Sequence, residues 1–380
     1  MTNGNKKGFT IVELVIVIAV IAILAAALIP TFSGVIDKAN QSSDQQVVKQ
    51  MNTILAVEAA SGDTPSRIHE VKALLLANGY TLDTTTFKGY SYAWIAEKNV
   101  IALVEDGEVV FPKEYSGYDK NKLAFFNIAK AGSSEEIKAL ADGNFSDLKG
   151  LNSIVLENDV TVQLDEGKDY LLFKTAGDIE IDGNGKTIQA NIDVSISTSL
   201  ALTNVTINGS SGAASAIKPT AGDVFMSGAT IIGEYYAFAQ NAGDAAASGE
   251  DVVCDIKNST FDAPIALYIS EGTWTFENCE FNGTVTIAGG ANIVFNNCKF
   301  TAKPVDACSW SYDANNALGH GCFFSAYAIV IEDGRDINSW QSGKVTFNKC
   351  TVTNATDNSA NYAYYNAGAS NPNTLEIVWN

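Results

Sequence analysis

From Phe9 to Ile29 the chain runs through 21 residues whose apolar character is broken only by Thr10 and Glu13. As an α-helix rising 1.5 Å per residue, the run spans about 32 Å, enough to cross a bilayer's hydrocarbon core. Lys6 and Lys7 precede it, which keeps Met1–Gly8 cytoplasmic and sends the remainder of the chain outward. The run therefore predicts a single-pass membrane segment followed by an exported part. Glu13 is the anomaly, because a carboxylate inside hydrocarbon costs about 2.5–3.5 kcal/mol even on lenient insertion scales.

Two simple readings leave that residue unexplained. A removed secretory signal would use Ala25-Ala26-Ala27 as its small-residue cleavage site. However, the stretch Leu14–Ile29 is long for the apolar part of such a signal, and Glu13 interrupts its start. A plain membrane anchor gives Glu13 no role at all.

The stretch KKGFTIVE, Lys6–Glu13, with the apolar run behind it, resembles the leader and first helix of type IV pilins and pseudopilins. The resemblance implies that a membrane aspartic protease cuts between Gly8 and Phe9 and that Phe9 is then N-methylated. Glycine before the cut has a steric logic, since a residue without Cβ allows close backbone approach. The family's glutamate lies four residues beyond the new terminus and its proline 21 residues beyond. Glu13 and Pro30 stand at those places. Cleavage would free an α-amino group with a reference pKa of about 8. In a fibre of parallel helices that ammonium can meet Glu13 of a neighbour. Stranding one charge of such a buried pair costs about 3–5 kcal/mol, so the pair sets the register between subunits. The partners implied are other pilin subunits, the prepilin peptidase/methyltransferase and the cytoplasmic membrane. The destination is a cell-surface fibre.

Pro30 lacks an N–H and predicts a kink. Beyond it, Val47, Met51, Ile54 and Leu55 form a helically spaced stripe suited to packing on a head domain. The expected organisation is a leader at 1–8, a kinked helix at 9–62, a small α+β head at 63–116, a linker at 117–132 and a second domain at 133–380. In the head, TPSRIHEVKALLLANGY reads as a short helix. Three strand-like runs follow, with Asp106-Gly107 as a hairpin turn. Tyr90, Tyr92 and Trp94 are expected to cover the sheet.

From Ser133 the composition turns rich in Gly, Asn, Ser and Thr, which favours short strands and turns. SSEEIKALADG reads as a capping helix begun at Ser133 or Ser134 and stopped at Gly143. Loose repeats then align on Ile188, Ile207, Ile231, Phe261, Phe281, Phe300 and Val352, with closest spacings of 19–20 residues. Strands recurring at that period suit a solenoid whose coils stack about 4.8 Å apart. The pattern resembles right-handed parallel β-helices of the pectate-lyase-like kind, with an insert at 303–345; a β-sandwich is the rival. The fold class expected is thus a long hydrophobic helix with a small antiparallel-sheet head, followed by an all-β parallel β-helix.

Ser259, Cys279, Cys298 and Cys350 lie two residues before the column, so they should point inward and stack. They read as small apolar core groups, with Cys279–Cys298 a candidate disulfide. Cys308 and Cys322 bracket the insert and could staple it. Six cysteines allow 15 pairings, among which sequence does not choose.

A net charge of −19 makes nucleic acid a poor partner for the exported part. Solenoids of this kind include polysaccharide lyases, which need clustered carboxylates for Ca²⁺ and a base to take a proton. Beyond Ser133 there is one arginine, Arg335, and one histidine, His320. A binding role fits these residues better than catalysis, with no cofactor and no metal expected. Trp310, Tyr312, His320 and Trp340 could stack on the sugar rings of a glycan. The rival functions are a pseudopilin of a type II secretion or DNA-uptake machine and a membrane-anchored carbohydrate-active enzyme.

Overall fold

One helix, α1 (Ile11–Ser61), opens the computed structural model. The structure describes residues 10–82, 86–144, 149–174, 176–195, 198–209, 215–240, 252–287, 291–303, 327–333, 343–355, 361–366 and 375–380. It forms two compact units, Met1–Phe125 and Phe126–Asn380.

In the first unit α1 continues through Pro30. One residue on, Thr31 Oγ1 donates to the Ala27 carbonyl at 3.2 Å. Large apolar side chains from Ile11 to Ile36 are 47–82% exposed, and burial begins only at Asp44. The buried stripe is Asp44, Val48, Met51 and Leu55. This corrects the expected stripe, because Val47 and Ile54 are only half-buried. The packed line runs one residue round the helix, through the position of a carboxylate that apolar patterning ignores. Asp44 earns burial by accepting the backbone N–H groups of Phe87 at 2.9 Å and Lys88 at 3.0 Å.

Helix α2 (Ile68–Ala77) buries Ile68, Val71 and Leu75. Strands β1 (Ser91–Ile95), β2 (Val100–Glu105) and β3 (Glu108–Phe111) form an antiparallel meander. Asp106 and Gly107 turn β2 into β3 with φ of 50° and 81°, the positive pair that a two-residue hairpin needs. Trp94 and Tyr90 are buried in this unit and Tyr92 half-buried. Residues 117–132, expected as a linker, contain strand β4 (Ala124–Ala131), whose start pairs with β1. Its alternation is masked in sequence by the adjacent pair Phe125-Phe126.

Asn52 of α1 clips the helix to β2. Its side chain donates to the Ile101 carbonyl at 3.0 Å and accepts the Ile101 N–H at 2.7 Å. Asn52→Ala leaves both backbone groups unpaired and is expected to cost about 1–3 kcal/mol. A lowered thermal midpoint of the head in detergent checks this.

The second unit begins with helix α3 (Ser134–Ala141), capped by Ser133 as expected. Ser133 Oγ accepts from Glu136 N, and Glu136 reaches back to Ser133 N at 3.0 Å. Its Ile137, Leu140 and Ala141 join the core of this unit. The chain then makes successive passes, each laying short strands into three parallel ladders in the same order. The pass 177–182, 187–189 and 192–194 is followed by 198–203, 206–208 and 215–219. These parallel registers displace the sandwich rival and give a curled, β-helix-like stack.

The second ladder places Ile188, Ile207, Ile231, Phe261, Phe281, Phe300 and Val352 in one register column, the alignment expected from the repeats. The first ladder aligns Ile154, Ile181, Leu202, Met226, Ile256, Phe276, Phe295, Phe347 and Trp379. Parallel strands in register put like residues directly above one another, so later passes build ring stacks. Phe276–Phe295 and Phe295–Phe347 stack at 4.9 and 5.0 Å, and Phe261–Phe281 and Phe281–Phe300 at 5.1 and 5.0 Å. The two stacks meet edge to face, as at Phe276–Phe281, 5.3 Å and 76°.

At six of the turns between the first and second ladders the chain passes through a single left-handed residue. Asn204, Asn258, Asn278, Asn297 and Lys349 hold it with φ of 46–54°, and Gly228 with 65°. Asparagine suits it because its short amide tolerates this region. It also bonds to the next pass: Asn297 Nδ2 donates to Asn278 Oδ1 at 2.8 Å. Lysine at 349 gains neither advantage. Lys349→Asn is therefore expected to stabilise this unit by about 1 kcal/mol, read as a higher denaturant midpoint.

Candidate processing and assembly site

The chemistry at the N-terminus is built on the first turn of α1. Thr10 is the N-cap, with extended φ and ψ of −75° and 152°. Its Oγ1 accepts the Glu13 N–H at 3.3 Å. Glu13 Oε2 in turn accepts Thr10 N–H at 2.9 Å and Thr10 Oγ1–H at 2.8 Å. This is a reciprocal capping box, which satisfies otherwise orphaned donors of the first turn. The positive end of the helix dipole further favours an anion there. The carboxylate that looked unsupported in sequence thus has partners within its own chain. The T-x-x-E spacing of Thr10 and Glu13 was the available signal, and a reading centred on membrane cost passes over it.

Behind Glu13 the helix is apolar on every side and its large side chains are exposed. By length and composition α1 can cross a membrane. Pro30 lies within it. Gly8 and Phe9 lie outside the described residues, as do Trp310, Tyr312, His320, Trp340, Arg335, Cys308 and Cys322.

Residues 3–29 match the family model of the prokaryotic N-terminal methylation motif. The chain begins as a prepilin-type precursor does. The segment implies processing by a prepilin peptidase and assembly with other pilin subunits, and α1 fits a membrane-anchored precursor. No curated protein and no solved structure matches the chain.

In the second unit the stacked column is as drawn from sequence: Ser259, Cys279 and Cys298 are buried, and Cys350 is half-buried. Lys299 N–H donates to the Cys279 carbonyl at 2.9 Å and Thr351 N–H to that of Cys298 at 3.0 Å, so these cysteines occupy successive passes. The candidate Cys279–Cys298 disulfide is absent; both are free thiols. Carbonyl acceptors lie within reach of each, that of Glu277 at 3.3 Å from Cys279 Sγ and that of Asn296 at 3.4 Å from Cys298 Sγ. Hydrogen bonding to Cys279, together with burial, pushes the Cys298 thiol up to about 12. Cys298 therefore stays protonated at neutral pH and packs as a small apolar group. Cys254, a further buried thiol in the first ladder, is also pushed well up, by burial.

Proposed function

We propose that the protein is a structural subunit of a type IV pilus or pilus-like fibre. It inserts as a single-pass precursor in the cytoplasmic membrane with Met1–Gly8 inside. Cleavage between Gly8 and Phe9 and N-methylation of Phe9 then release a subunit that polymerises through α1. One observation carries this reading: the methylation motif coincides with a helix whose apolar surface is unburied and whose first turn holds Glu13. Neighbouring copies of that helix would bury the exposed surface once it leaves the membrane, each apolar side chain contributing about 1.5–3 kcal/mol.

On this reading the second unit is a right-handed parallel β-helix of the pectate-lyase-like kind, displayed on the cell surface for adhesion or glycan binding. It is non-enzymatic. Its bulk favours a display fibre over the short fibre of a secretion or uptake machine, whose pseudopilins share the same N-terminal segment. The test is the mass and first residue of the mature chain. Cleavage after Gly8 gives N-methylated Phe9, and Gly8→Ala should slow processing at least tenfold. A mature chain starting at Leu28 or Met1 would overturn the reading.

A further inference from the structure

Among the described residues, no large apolar side chain outside α1 is more exposed than Phe87, at 70%. It stands on a turn that holds it out. Gly89 N–H donates to the Thr86 carbonyl at 3.0 Å, closing the turn, and Gly89 leaves it with φ of 82°. Beneath, the buried Thr86 hydroxyl accepts the Tyr90 N–H at 2.6 Å. The turn is also tied to α1. Asp44 accepts the Phe87 and Lys88 N–H groups, and Lys88 Nζ pairs with Asp37 at 3.2 Å. A phenyl ring displayed to water from so fastened a turn is a cost that burial elsewhere would relieve.

The helix sets the level of this turn. From Leu14 to Ile36 there are 23 residues without a charge, about 34 Å of helix, enough to fill a hydrocarbon core of about 30 Å. Asp37, the first charge beyond, then lies in the headgroup layer, which adds roughly 5–7 Å on each side. Lys88 Nζ shares that level through its ion pair, and Asp44 lies about 10 Å further along the axis. The turn thus spans the step from headgroups to water, just beyond the exposed Phe32, Val35 and Ile36 of α1.

Resting on the reading of α1 as the membrane span, we propose that the turn 86–89 is an interfacial anchor that seats the head on the outer leaflet. Phe87 is the residue that enters the lipid. A subunit that has not joined a fibre has headgroups on every side at this level, so the ring meets phospholipid whatever its bearing round α1. Aromatic and other apolar side chains are favoured at that boundary.

The experiment uses the full-length chain in vesicles of phosphatidylcholine and phosphatidylglycerol, with lipid in large excess so that copies stay apart. Photoreactive benzoylphenylalanine replaces Phe87, Val57 or Ile21 in turn, and mass spectrometry counts lipid adducts after irradiation. Val57 is exposed on α1 about 30 Å beyond Asp37 and gives the background. Ile21 lies within the span. Adducts at 87 should exceed those at 57 by at least about fivefold. Labelling at 21 with only background at 87, or chain-to-chain products at 87 in place of lipid adducts, would overturn the proposal. Absence of adducts at 21 would overturn the membrane reading and the anchor with it. The cleavage and methylation of the pilin reading are judged separately, on the mature terminus.

Discussion

Glu13→Ala subunits are expected to insert and be cleaved after Gly8 but to leave almost no fibre. In the proposed fibre the alanine strands a neighbour's ammonium in an apolar helix bundle. Breaking one side of a buried pair costs about 3–5 kcal/mol, or about two to nearly four decades in that contact's equilibrium constant. The capping box is lost as well, at about 1 kcal/mol, but that cost falls on the free subunit and the fibre alike. Comparing sheared surface material with the processed membrane pool measures the effect. Normal fibres from Glu13→Ala would remove the ion pair from the mechanism. Glu13→Gln separates charge from shape, since its amide oxygen can still accept from Thr10.

Phe276→Ala should be the most damaging single truncation in the second unit, costing about 3–5 kcal/mol. Phe276 is fully buried. It stacks on Phe295 at 4.9 Å and meets Phe261 and Phe281 edge-on at 6.2 and 5.3 Å. The parallel ladders above and below hold the backbone at a fixed spacing, so the cavity has little means of collapsing. Phe276→Leu, which keeps most of the volume, should cost less than half as much. Urea denaturation followed by tryptophan fluorescence would report both through Trp274, whose ring lies 6.1 Å from that of Phe276. A loss below about 1 kcal/mol for the alanine variant would mean that the two ring stacks do not hold the passes together.

The second ladder was legible because its inward residues are large and apolar and recur after turns of constant length. The first ladder was not aligned in advance, although its column runs from Ile154 to Trp379. From Leu202 to Phe347 its members stand five residues before those of the second ladder and are separated by the same inserts, so an alignment anchored on the second column left the first one unread. The left-handed asparagines had a local signal in KNSTF, ENCEF and NNCKF. Their importance emerges only when successive turns are stacked and the amides meet. The stripe of α1 was right at Met51 and Leu55 but took Val47 and Ile54 in place of Asp44 and Val48. A buried carboxylate is invisible to hydrophobic patterning until the backbone N–H groups of Phe87 and Lys88 are brought to it.

By itself the amino-acid order determined the membrane-length helix, the processing motif around Gly8 and Glu13, and the column of the second ladder. Each depends on residues close in the chain or on a short motif repeated along it, and local sterics and hydrophobicity suffice for that. Tertiary structure alone decided how the first and third ladders close round the core and that Cys279 and Cys298 stay as thiols. Those outcomes depend on which groups meet in space, and hydrogen bonds and ring contacts form only once the backbone has fixed their distances.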